Sequence, residues 1–96
     1  MLQQYKIDLL ANYFRDKPVL KAYLFGSQVR NQAAADSDID ILVELDYSQQ
    51  IGLKYIRMQY ELEKMLDSKV DLLSDNAISK YIRPIIDREK QLIYAK

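Results

Sequence analysis

Residues 39–45 read Ile-Asp-Ile-Leu-Val-Glu-Leu, and this run constrains the fold more than any other. Its middle, Ile41 to Val43, is apolar at consecutive positions, so a strand here is buried on both faces along its middle. Yet Asp36, Asp38 and Asp40 crowd into its leading end. A carboxylate beside a buried strand loses hydration, and neighbouring carboxylates repel one another. Something must offset that cost.

The other bounds are chemical. The 96 residues allow one domain, over 1–96, with one core. Apolar residues make up 49% of the chain, which argues against disorder. The apolar runs fall far below the ~18 residues of a membrane span, and the first residues lack a basic-then-apolar leader. The expected compartment is the cytoplasm. With no cysteine and no histidine, disulfides, thiolate nucleophiles, histidine triads and Cys or His zinc sites are excluded. A net charge of zero argues against duplex nucleic acid as the main partner.

Glycine and proline punctuate the rest. Residues 2–16 predict a helix, with Leu2, Tyr5, Leu9, Leu10, Tyr13 and Phe14 at helical spacing and Pro18 closing the segment. Residues 19–25 predict a strand ending at Gly26. Residues 27–33 predict a short helix with Ser27 as its N-cap, followed by a turn at 34–37. After the 39–45 strand and a loop at 46–50, residues 51–67 predict the longest helix, with an apolar stripe of Tyr55, Met58, Leu62, Met65 and Leu66. Residues 69–73 predict a strand. Residues 76–88 predict a helix capped by Ser74 or Asp75 and kinked at Pro84, and 91–95 a last strand or extended tail. The fold class is α/β (α+β), a small mixed β-sheet flanked by helices.

Two features of this pattern carry chemistry. Gly26-Ser27 stands where a strand meets a helix, where backbone N–H groups and the Ser27 hydroxyl could meet a phosphate and Arg30 could reach the same anion. Asp38 and Asp40 share one side of their strand. Asp71 lies between Val70 and Leu72, in the same polar-between-apolar setting. If the two strands are neighbours, three carboxylates converge. Two like charges about 4 Å apart cost ~4 kcal/mol at the effective dielectric near a protein surface. A divalent cation reverses that sign, and Mg²⁺ is commonly held by carboxylates together with substrate phosphates. The EF-hand pattern of a calcium site is absent.

Gly26-Ser27, ten residues, then Asp38-x-Asp40 running into Ile-Leu-Val-Glu-Leu, with Arg30 behind the serine and Asp71 on a later strand, resembles the minimal nucleotidyltransferases (MNT) of the DNA polymerase beta-like superfamily. The resemblance spans nearly the whole chain. It implies the polymerase beta-like nucleotidyltransferase fold. It implies that Gly26, Ser27 and Arg30 bind the triphosphate of ATP, and that Asp38, Asp40 and Asp71 hold two Mg²⁺ ions. Asp71 would also help deprotonate the acceptor hydroxyl. Asn31 departs from the family's usual Gly after the arginine, though Asn tolerates a left-handed backbone. Members of this size act as antitoxins, type VII in kind, beside a HEPN toxin, transferring AMP from ATP to a toxin tyrosine. The alternatives are an interaction protein that neutralises its toxin by binding alone, a nucleotidyltransferase acting on a small molecule or RNA end, and a nucleotide sensor without turnover. Residues 80–90 mix charges with Tyr81, Ile82, Ile85 and Ile86, and could contact a partner.

Overall fold

The structure, a computed structural model, describes residues 2–30 and 38–96. Asn31, Asp36 and the turn predicted at 34–37 lie outside the described residues. In chain order the elements are α1 (Gln4–Phe14), β1 (Val19–Phe25), β2 (Ile39–Leu45), α2 (Lys54–Leu66), β3 (Val70–Ser74), α3 (Arg83–Glu89) and β4 (Gln91–Ala95). The strands form one mixed sheet in the order β3-β2-β1-β4. β1 runs antiparallel to β2 and to β4. β2 and β3 are parallel, a pairing that needs a crossover, and α2 supplies it. This is the mixed sheet with flanking helices that the order of elements predicts.

Alternation along the strands sorts the residues. Ala22 and Leu24 of β1, Ile39, Ile41 and Val43 of β2, and Val70 and Leu72 of β3 pack into one apolar cluster with Leu10 and Phe14 of α1 and Met58, Leu62 and Leu66 of α2. The opposite face carries a smaller cluster, Phe25, Leu42 and Ile86, joined by Tyr23, Leu73 and Ile78. Burial on both faces along the middle of β2 follows: Ile41, Leu42 and Val43 are all fully buried.

Four local expectations are revised. In α1, Leu10 and Phe14 are buried, but Tyr5 is 58% and Leu9 40% exposed. The apolar stripe is narrower than the spacing suggests. The strand-to-helix turn is a three-residue 3-10 turn, Gly26–Gln28, in which Ser27 forms no capping bond. Residues 76–88 do not form one kinked helix. A 3-10 turn spans Asp75–Ala77, Ile78 is extended, and α3 starts only at Arg83. Pro84 therefore sits in the first turn of α3. There its missing N–H breaks no helical bond, and its fixed φ suits the helix. Neither Ser74 nor Asp75 caps a helix through its side chain. Asp75 instead accepts from the Arg83 guanidinium at 3.2 Å, tying the start of α3 to the end of β3.

Candidate active site

The carboxylates lie on the sheet face away from α1 and α2. Because β2 and β3 are parallel and in register, Asp40 stands directly beside Asp71, with Ile39 and Ile41 turned into the large core. The same pairing continues through the loop before β2. The Ile39 N–H donates to the Lys69 carbonyl at 2.9 Å, which brings Asp38 alongside Lys69. The Lys69 ammonium is 4.0 Å from the Asp38 carboxylate.

The structure brings Asp40 and Asp71 together as a cross-strand pair of like charges. The Asp40 carboxyl is pushed up to about 6, first by burial, then by the Asp71 charge and the Asp71 hydrogen bond, then by the Asp38 charge. Arg30 pulls the other way. A cation placed between the two carboxylates would relieve their repulsion. Asp38 contributes its field but is engaged with Lys69 and half exposed. Among the described residues, no group of three or more carboxylates already stands close enough to hold a metal ion. The observed arrangement is thus a close pair with a third acid one strand step away. Its all-oxygen, acidic donor set suits a hard divalent cation such as Mg²⁺.

Gly26 closes one side. Its φ is +77°, and a Cβ there would collide with the Asp40 carboxylate. Only glycine lets the turn approach that closely. The turn is short, so the dipole of an extended helix does not act here. It is held by its own bonds, with the Val29 and Arg30 N–H groups both donating to the Gly26 carbonyl at 3.1 Å. Ser27 is half-buried in the middle of the turn.

Arg30 is engaged with a carboxylate. Its Nη1 donates to both carboxylate oxygens of Glu89, at 3.2 and 2.9 Å. The Gly26 N–H donates to the same carboxylate at 2.9 Å. Sequence reasoning missed Glu89, which lies in a charged stretch with no motif of its own. The usable signal was positional: it precedes an apolar segment that pairs with β1.

Comparisons with known proteins bear on the family and the fold. Residues 7–93 match the family described as nucleotidyltransferase domain. The protein adenylyltransferase MntA of Thermococcus cleftensis is 38% identical over 66 residues, covering 69% of this chain and 66% of that protein. A crystal structure of a toxin-antitoxin with AMP-PNP superposes with a TM-score of 0.76 at 26% identity, covering 99% of this chain and 75% of the other. The fold is also shared, at a TM-score of 0.74 and 23% identity, with a structure of a tri-AMPylated Shewanella oneidensis HEPN toxin in complex with MNT antitoxin. That match covers 99% of this chain and 74% of that one. The chain belongs to the nucleotidyltransferase domain family and, within it, to the minimal nucleotidyltransferases.

Proposed function

We propose that this chain is a Mg²⁺-dependent antitoxin enzyme of the cytoplasm that transfers AMP from ATP to a tyrosine hydroxyl of a HEPN-type toxin. One observation carries the reading: Asp40 and Asp71 meet in register on an open sheet face, with the Gly26 turn packed against Asp40. The named relatives support it, since one is an adenylyltransferase and one is bound with an ATP analogue. An AMPylated HEPN toxin accompanies a third.

In this reading Asp38, Asp40 and Asp71 would hold the metal, which supplies charge neutralisation for the polyphosphate. Gly26 and Ser27 present a close backbone approach for the phosphates, and Arg30 adds positive charge beside them. The acceptor oxygen forms a bond to the α-phosphorus as the bond to the bridging oxygen breaks, releasing pyrophosphate. The hydroxyl proton passes to a carboxylate of the Asp40–Asp71 pair and then to solvent. The chain contributes mainly positioning and fixed charge.

The test is incubation with α-labelled ATP, Mg²⁺ and the co-expressed toxin, read by label and by intact mass. Wild type should add AMP in whole increments to the toxin. Asp40→Asn, still folded, should add none. Transfer by Asp40→Asn at the wild-type rate sinks the assignment, and toxin neutralised with no label transferred favours binding alone.

A further inference from the structure

We infer that Glu89 is a positioning residue of the nucleotide site. Its carboxylate clamps the Gly26 turn and the Arg30 guanidinium in the arrangement that receives the triphosphate, and it stays in place when nucleotide binds. The inference deepens the proposed transfer and rests on it.

The placement comes from backbone pairing. Leu24 of β1 stands opposite Gln91 of β4 in an antiparallel ladder. Two residues past Leu24, just beyond the end of β1, comes Gly26, and two residues back from Gln91 comes Glu89. The ladder therefore delivers the end of α3 to the turn. That end is itself fixed, because the Lys90 N–H donates to the Ile86 carbonyl at 2.8 Å. Glu89 is a short, well-held side chain rather than a long one reaching across solvent.

Its bonds fit a clamp. One oxygen accepts the Gly26 N–H at 2.9 Å and an Arg30 N–H at 3.2 Å. The other accepts from the same Arg30 nitrogen at 2.9 Å. The Glu89 side chain is 16% exposed, against 46% for Arg30. A largely buried carboxylate loses hydration, and charge-assisted bonds offset that loss. The same three residues then reach the carboxylate pair. Gly26 packs against Asp40, and the Arg30 charge is felt there.

A contrasting arrangement would make Glu89 a placeholder, expelled when phosphate takes the Gly26 N–H. Expulsion would leave a buried carboxylate without partners beside Asp40, Asp71 and a polyphosphate. Like charges in a poorly solvated site disfavour that outcome. The two arrangements predict opposite signs for one substitution, so the choice is measurable.

The experiment compares wild type, Glu89→Ala and Glu89→Gln by two readouts. One is calorimetric titration with AMP-PNP and Mg²⁺. The other is amide hydrogen exchange at Gly26 without nucleotide, followed by NMR. Loss of the clamp should weaken AMP-PNP binding about tenfold in Glu89→Ala, the loss of roughly one charge-assisted hydrogen bond. Glu89→Gln should weaken it about threefold, because the amide oxygen can still accept while the charge on Arg30 is lost. Exchange at Gly26 should speed up in Glu89→Ala. In steady state KM for ATP should rise with kcat nearly unchanged. Tighter binding by Glu89→Ala shows a placeholder and overturns the inference. Unchanged affinity with only a lower melting temperature shows a structural pair and also overturns it. If Glu89→Ala does not fold, the near-isosteric Glu89→Gln decides by the same signs. A wild type that binds no AMP-PNP is a separate result, which removes the transfer reading and this inference with it.

Discussion

The two faces of the sheet are made from the same strands yet differ in kind. On the α1/α2 side, Leu24, Ile41, Val43, Leu10, Phe14 and Leu62 are all fully buried. On the other side, β2 and β3 present Asp40, Leu42 and Glu44 beside Asp71 and Leu73, with α3 contributing Ile86 to a small cluster. Side chains alternate along a strand, so β2 anchors the core with every second residue and offers chemistry with the rest. A slip of one residue would put Asp40 into the core and Ile41 into the site. The stable face thereby fixes the register of the reactive one.

The largest expected effect tests whether the faces are separable. Phe14→Ala empties the helix-covered core, where Phe14 also stacks at an angle on Tyr94. It should lower stability by about 3–5 kcal/mol, measured by urea unfolding. AMP transfer per folded molecule should not change. A loss of transfer beyond the unfolded fraction would break the comparison.

Next in size is Asp71→Asn on the open face. Transfer should drop by roughly 100- to 1,000-fold, the scale on which a fixed electrostatic group in an active site acts. Unfolding should show stability equal to or above wild type, because one member of a repelling pair is removed. A variant that is badly destabilised would mean that Asp71 is structural after all.

The pH dependence sharpens the same contrast. Burial and the Asp71 charge raise Asp40 from 3.8 to about 6. Between those values the folded chain holds a proton that the unfolded chain has released. The stability from this group is full below pH 4 and is lost as pH rises through 6. Relative to Asp40→Asn, wild type should therefore weaken between pH 4 and 7.5. After allowance for solvent screening of a half-exposed group, the difference is on the order of 1 kcal/mol. Added Mg²⁺ at pH 7.5 should recover it in wild type and not in the variant. Parallel stability curves for the two proteins, measured without divalent ions, would contradict the assigned cause.

Much of this contrast was legible in the residues. Alternation marked Asp40 and Asp71 as polar positions on apolar strands, and their pairing followed once β2 and β3 were neighbours. Glycine at 26 was readable as a close approach, though its neighbour in that approach proved to be Asp40 itself. Other features depended on tertiary contacts. The start of α3 hinges on Pro84 and on Asp75 meeting Arg83. A local pattern cannot tell a kinking proline from a starting one. Glu89 is invisible without the β1–β4 register, because its partners lie 59 and 63 positions away. Tyr5 and Leu9 fit a helical stripe, but α1 buries only Leu10 and Phe14 of it fully.

The smallest expected effect compares one tyrosine on each face. Tyr23, on the open face, donates to Glu44 at 3.0 Å and carries the Lys90 ammonium 4.5 Å above its ring. Tyr13, on the helix side, donates to Glu61 at 2.6 Å and joins α1 to α2. Each Tyr→Phe change removes one hydroxyl and keeps the ring, so packing and the lysine contact survive. Thermal unfolding should show a loss of about 0.5–1 kcal/mol for each, the net worth of one hydrogen bond. Neither should alter AMP transfer. Glu44 lies on the same face as Asp40 but four residues further along β2, so a defect in transfer by Tyr23→Phe would mean that the reactive surface extends past Leu42 towards the far end of the sheet. Unchanged transfer would confine it to the end of β2 where Gly26, Asp40 and Asp71 meet.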